Sequence, residues 1–188
     1  MTGAPPDLVI RAMQPADLPE MLDVWVAAWQ AAYPAIDFNA RRGWTTDRIA
    51  ELERTGSRTL VVLKDRRIVG AMVVNPDTGY LDQIVVATDL QGGGIAETLL
   101  AEARRLSPNG LDLHVNQDNA RAIRFYEKHG FLKTGEDVNP RSGAPIYRKC
   151  STSGSPLGRP PILQSISMRG GAGPSTVLLN LNAPARER

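Results

Sequence analysis

Cysteine is almost absent from these 188 residues: Cys150 stands alone. One thiol excludes an intramolecular disulfide framework and any zinc or iron–sulfur site built on cysteines, and it suits a reducing compartment. Histidine is nearly as scarce, with only His114 and His129. That argues against a metal centre of several imidazoles and against a Cys/His nucleophilic pair, so no metal is expected. Aromatic residues make up 5% of the chain. No run approaches the roughly 20 apolar residues that a membrane helix needs, and the opening Met1-Thr2-Gly3-Ala4-Pro5-Pro6 lacks the charged and apolar regions of a secretory signal. A cytoplasmic protein with no membrane partner is the expectation. A basic body is missing as well. Residues 1–150 hold 18 Lys+Arg against 19 Asp+Glu, and the formal charge of +2 comes from the last 38 residues, which hold four Arg and one Glu. Without a Lys/Arg cluster interleaved with aromatics, no nucleic-acid partner is expected.

What is present is a body of about 150 residues followed by a tail of different composition. In 151–188, Gly, Pro, Ser and Thr account for 18 of 38 residues and aromatics vanish. Such a stretch cannot bury enough apolar area to offset its ordering entropy, so it reads as a disordered tail. In 1–150 the hydrophobic period switches repeatedly between two and about 3.6, the mark of mixed helix and sheet. Leu8–Met13 reads as a strand. Leu18, Met21, Leu22, Trp25, Ala28, Trp29 and Ala32 recur at three and four, giving a helix with one apolar face that Pro34 stops. A weaker helix over Arg41–Glu53 precedes a hairpin of Thr59–Lys64 and Ile68–Val74, and Tyr80–Ala87 reads as the next strand.

That strand runs into Gln91-Gly92-Gly93-Gly94-Ile95-Ala96, beyond which Ile95, Leu99, Ala103 and Leu106 mark a helix. Glycines at a helix entrance let a ligand approach the backbone, and the unpaired N–H groups of the first turn favour an anion, most simply a phosphate. A nucleotide-triphosphate loop would need Gly-Lys-Ser/Thr, but Ile95 and Ala96 follow Gly94. A dinucleotide fingerprint would need glycine where Glu97 stands. Taken alone, the glycines read equally well as a flexible turn.

The second motif decides. Leu111–Val115 alternates as a strand, and Asn116–Phe131 reads as a helix capped by Asp118 or Asn119 and closed at Gly130. Gln91–Ala96 resembles the Gln/Arg-x-x-Gly-x-Gly/Ala turn of the GCN5-related N-acetyltransferase (GNAT) superfamily, and Asn119, Ala122, Phe125, Tyr126, Gly130 and Phe131 resemble its Asn-x-x-Ala-x-x-Phe-Tyr…Gly-Phe block. The likeness covers about residues 8–149. It implies an α/β (α+β) fold: a mixed, twisted central sheet of about six to seven strands, flanked by about four helices and splayed where the cofactor enters. Residues 1–150 would form the acetyltransferase domain, with 151–188 outside it.

The resemblance also implies roles. The donor would be acetyl-CoA (coenzyme A), its diphosphate on the backbone of Gln91, Gly92, Gly93, Gly94, Ile95 and Ala96 and its pantetheine paired with the main chain of Ile84, Val85 and Val86. Asn119 and Ala122 would complete the cofactor site, with Asn119 open to a capping role, a ligand role or both. Tyr126 would protonate the leaving thiolate, unless it only packs the helix onto the sheet. For the base, Asp82 alternates with Tyr80, Ile84 and Val86 and so is expected on their side of the strand; Glu20 is a rival, and a solvated surface acid without a catalytic role is the third alternative. Trp25 is expected in the core, whereas Trp29 and Tyr33, with Phe38 and Trp44 beyond, would wall the acceptor site. The acceptor would be a small-molecule amine or a peptide amine. The last strands, near Leu132–Asp137 and Pro145–Lys149, are expected at a sheet edge that allows a homodimer. Two other readings stay open: an acyl-CoA-binding sensor or partner module of the same fold without catalysis, and a basic-tail interaction protein in which residues 151–188 dock on nucleic acid or membrane.

Overall fold

A computed structural model describes residues 8–140 and 142–151. The expected tail lies outside them except for Ser151, which ends the last strand. Among these residues seven strands and four α-helices follow one another as β1 (Val9–Ala12), α1 (Leu18–Ala32), α2 (Arg42–Arg54), β2 (Arg58–Lys64), β3 (Arg67–Val74), β4 (Leu81–Val86), α3 (Ile95–Leu106), β5 (Leu111–Asn116), α4 (Ala120–Lys128), β6 (Leu132–Val138) and β7 (Pro145–Ser151). The strands form two antiparallel sheets, β1-β2-β3-β4 and β5-β7-β6.

Helix α1 starts where the sequence says it should. Pro15 opens a 3-10 turn, Asp17 Oδ2 accepts from the Gln14 N–H at 2.6 Å, and Met21, Leu22, Trp25 and Trp29 then bury one face. Glu20 is tied down as well, because its Oε1 accepts from the Ile68 N–H at 2.9 Å and fastens α1 to the start of β3. Trp25 of α1 donates its indole N–H to Gln83 Oε1 at 2.9 Å. On the other face, Gly70, which pairs with Val86, looks at Ile95 and Leu99 of α3. Since Gln83 and Val86 are an odd number of residues apart, α1 and α3 cover opposite faces of β3 and β4.

The two sheets meet at one point. Tyr80 and Asp112 form a parallel bridge, and the Asp112 N–H donates to the Gly79 carbonyl at 2.9 Å. Gly79 has φ of 75°, and a Cβ there would collide with the Gly110 carbonyl oxygen, so only glycine lets β5 start this close to β4. Beyond the bridge no β4–β5 ladder forms, and the strands part.

Three local expectations change. The helix expected from Asn116 begins at Ala120, because Asn116 still belongs to β5 and Asn119 caps the helix, its Oδ1 accepting from the Ala122 N–H at 3.1 Å. Of the last two strands only β6 lies at a sheet edge; β7 lies between β5 and β6. That central position buries Lys149 to 1% exposure, with Nζ donating to Glu127 of α4 at 2.8 Å. Phe38 is wholly buried against Trp25 and Trp29, so it belongs to the core and not to a substrate wall.

Candidate active site

The site is built from main chain first. After β4 the chain makes a 3-10 turn over Thr88–Leu90, and the Gly93 N–H is taken up by the Leu90 carbonyl at 3.2 Å. Gly94 caps α3 with φ of 87°, and its carbonyl accepts from the Thr98 N–H at 3.0 Å and the Thr98 hydroxyl at 2.9 Å. The N–H groups of Gly94, Ile95 and Ala96 have no acceptor among the described residues. A Cβ built at Gly92 or Gly94 meets nothing within 4 Å, so the space above the turn is open. Free N–H groups, an open approach and the positive end of a 12-residue helix together fit a phosphate.

The parting strands supply the second element. The Ala87 N–H donates to the Val69 carbonyl, so Val85, two residues earlier, also turns its peptide groups toward β3. Ile84 and Val86 therefore aim theirs away from β3, into the gap that opens toward β5. Val86 offers its carbonyl to the side chain of Gln91, whose Nε2 donates to it at 3.1 Å. An extended chain with amide groups could add here as a strand adds to a sheet edge.

Helix α4 forms the far wall. Past its end, the Phe131 N–H reaches back to the Tyr126 carbonyl at 3.0 Å, and the Tyr126 ring packs edge-on against Phe125 and Phe131, each 5.3 Å away. Tyr126 is 9% exposed, and burial pushes its phenol well above the ordinary tyrosine range. Its hydroxyl makes no hydrogen bond to a described residue. The result is a neutral donor with no acceptor among the described residues. Of the other block residues, Asn119 is engaged in its cap, and Ala122 gives its N–H to that cap while packing against the core.

Asp82 lies elsewhere than expected. Val73 pairs with Gln83 and Val74 with Leu81, so Asp82 is the extra residue of a β-bulge. The bulge breaks the alternation with Ile84 and Val86 and turns the carboxylate toward α2, where Oδ1 accepts from Arg48 Nη2 at 2.9 Å. Both side chains are nearly buried, at 6% and 5% exposure. Desolvation raises the Asp82 carboxyl to about 6, outweighing the opposing pull of the Arg48 charge and hydrogen bond. Its Oδ2 accepts no hydrogen bond from a described residue.

Of the expected wall, Trp29 is nine-tenths buried with its indole N–H unpartnered among the described residues, and Tyr33 stands half-buried at the margin. Tyr33 donates its hydroxyl to Asp118 Oδ1 at 2.7 Å, joining the end of α1 to the turn between β5 and α4. Asp118 had no signal beyond a capping residue type. His114 shares a hydrogen bond with the Tyr80 hydroxyl at 3.0 Å, and desolvation lowers its pKa. Burial first, then Asp112, pushes the Cys150 thiol up to about 11, which leaves it a poor nucleophile. Among the described residues no three His, Cys, Asp or Glu side chains cluster as metal ligands, and no helix is long and apolar enough to cross a membrane.

A helix entrance whose free amides fit a phosphate thus lies beside parted strands and faces a neutral phenol. The acetyltransferase (GNAT) family model matches residues 18–131, and the chain belongs to that family, an enzyme class whose acetyl donor is acetyl-CoA. It is 29% identical over 123 residues to the peptidyl-lysine N-acetyltransferase YjaB of Salmonella typhimurium, covering 64% of this chain and 83% of that one. It is 37% identical over 94 residues to the mycothiol acetyltransferase of Brachybacterium faecium, covering 44% of this chain but only 28% of that relative. Among solved structures, the apo form of YjaB from Escherichia coli superposes with a TM-score of 0.60 at 23% identity, over 76% of this chain and 96% of that one. The PaiA N-acetyltransferase of Thermoplasma acidophilum in complex with coenzyme A superposes with a TM-score of 0.61 at 19% identity, over 76% and 98%.

Proposed function

We propose that this protein moves an acetyl group from acetyl-CoA directly to a primary amine, with Tyr126 as general acid. The observation that carries the reading is the Tyr126 hydroxyl, kept neutral by burial and hydrogen-bonded to no described residue, in the helix that faces the parted strands. When bound, acetyl-CoA supplies the thioester. The balance is simple: a C–N bond forms, the C–S bond breaks, and the ammonium nitrogen gives up two protons, one matched by the proton the departing sulfur gains and one released to solvent through the base. The free amides of Gly94, Ile95 and Ala96 and the outward peptide groups of Ile84 and Val86 hold and align the carrier. Tyr126 donates toward the sulfur, where negative charge grows. Asp82 Oδ2 takes the amine proton, directly or through water, on the face that α1 and α2 cover. Trp29 and Tyr33 border the amine, and the 29%-identical peptidyl-lysine N-acetyltransferase favours a lysine-like acceptor. A cytoplasmic setting agrees with the lone, half-buried thiol.

Saturating coenzyme A should raise the melting temperature by roughly 5–10 °C, since a ligand at about 100 times its Kd adds about 2.7 kcal/mol to a domain of this size. Mixing with acetyl-CoA and an amine panel should then release free thiol. No shift overturns the donor; a shift without thiol release on any amine identifies the non-catalytic acyl-CoA module instead.

The base has its own test. The folded protein holds the Asp82 proton up to about pH 6, whereas the unfolded chain gives it up near 4, so this group's contribution to stability falls as pH rises through that window. Relative to Asp82→Asn, the wild type should lose roughly 2–3 kcal/mol of unfolding free energy between pH 4 and pH 7. The same ionisation should give kcat/KM a rising limb near pH 6 that Asp82→Asn lacks. A limb that survives the substitution assigns the proton transfer to another group.

A further inference from the structure

The guanidinium of Arg121 stands at the glycine turn although it belongs to α4, on the other side of the gap. Its Nη1 hydrogen-bonds Gln91 Oε1, while Gln91 Nε2 holds the Val86 carbonyl. Arg121 is exposed and pairs with no carboxylate among the described residues, so a full positive charge is held against a neutral carboxamide beside the unused amides of Gly94, Ile95 and Ala96. We infer that Arg121 is a diphosphate-binding residue that closes over the carrier from the α4 side, exchanging Gln91 for a phosphate oxygen. This rests on the reading of coenzyme A as the ligand.

The exchange is favourable because a guanidinium bonds an anionic oxygen about twice as strongly as a neutral carbonyl, and its fork matches a phosphate. The helix amides and Arg121 approach from the two halves of the fold, so a diphosphate between them is gripped from both sides. The inference commits to the diphosphate, because Gln91, which now positions the guanidinium, opens the turn itself.

Calorimetric titration of wild type, Arg121→Gln and Arg121→Lys with coenzyme A and with dephospho-coenzyme A, which lacks the 3′-phosphate, tests this. Arg121→Gln should weaken both ligands equally, by about five- to thirty-fold at low salt, and Arg121→Lys should recover part of the loss. The deficit should shrink as salt is raised, a readout that packing alone would not move. The melting temperature without ligand should stay unchanged, since the side chain is exposed. Equal affinities for wild type and Arg121→Gln overturn the inference, and so does a loss confined to coenzyme A, which would assign Arg121 to the 3′-phosphate. If the wild type binds neither ligand, the fault lies with the donor reading itself.

Discussion

Tyr126→Phe should lower kcat by about 10²- to 10⁴-fold while leaving KM for acetyl-CoA within about two-fold, the range a positioned general acid supplies. The split follows from what the hydroxyl does now. It has no hydrogen-bond partner among the described residues, so its removal orphans nothing, and the ring contacts with Phe125 and Phe131 survive in phenylalanine. Ground-state binding is untouched, and only the interaction made with a departing sulfur is lost, which places the whole effect in kcat. Burial holds the phenol protonated beyond the ordinary tyrosine range, so the wild-type rate should show no alkaline limb near pH 10. An unchanged kcat, or a loss that follows a fall in melting temperature, would make Tyr126 a packing residue.

The parts legible in the sequence are those where a backbone requirement is written into residue type. The residue just past a helix end favours a left-handed backbone and hence glycine, and Gly130 supplies it with φ of 80°. A helix start wants a side-chain acceptor, and Asn119 is one. The parts that were not legible depend on partners distant in the chain. Nothing in Leu81-Asp82-Gln83 announces a bulge, which exists only because Val73 and Val74 pair across the extra residue; the alternation rule therefore put Asp82 on the wrong face. Phe38 sits in a connection without periodicity, where exposure was the natural reading, yet Trp25 and Trp29 enclose it. Strand order has no local signature either, so β7 and its buried Lys149 read as an edge. Arg121 carried no motif at all, and only the fold brings α4 against the glycine turn.

The second large effect is expected at the turn. Gly94→Val should abolish coenzyme A binding to the level of at least about a 10²-fold weaker Kd, because losing two charge-assisted hydrogen bonds at about 1.5 kcal/mol each already accounts for that factor. The mechanism has two parts that a control can separate. A β-branched residue at φ of 87° strains the backbone by roughly 1–3 kcal/mol, and relief of that strain rotates the Gly94 and Ile95 amides away from their common direction. The added side chain also fills space that is open above the turn. Gly143 offers the strain alone. It has φ of 70°, a Cβ there meets nothing within 4 Å, and it lies in the connection between β6 and β7. Gly143→Val should therefore lower the melting temperature by an amount similar to Gly94→Val and leave the coenzyme A-induced shift intact. If Gly94→Val keeps the ligand-induced shift of the wild type, the main-chain donors of this helix entrance do not hold the diphosphate; if Gly143→Val loses it too, the loss at Gly94 reports instability and not a vanished phosphate site.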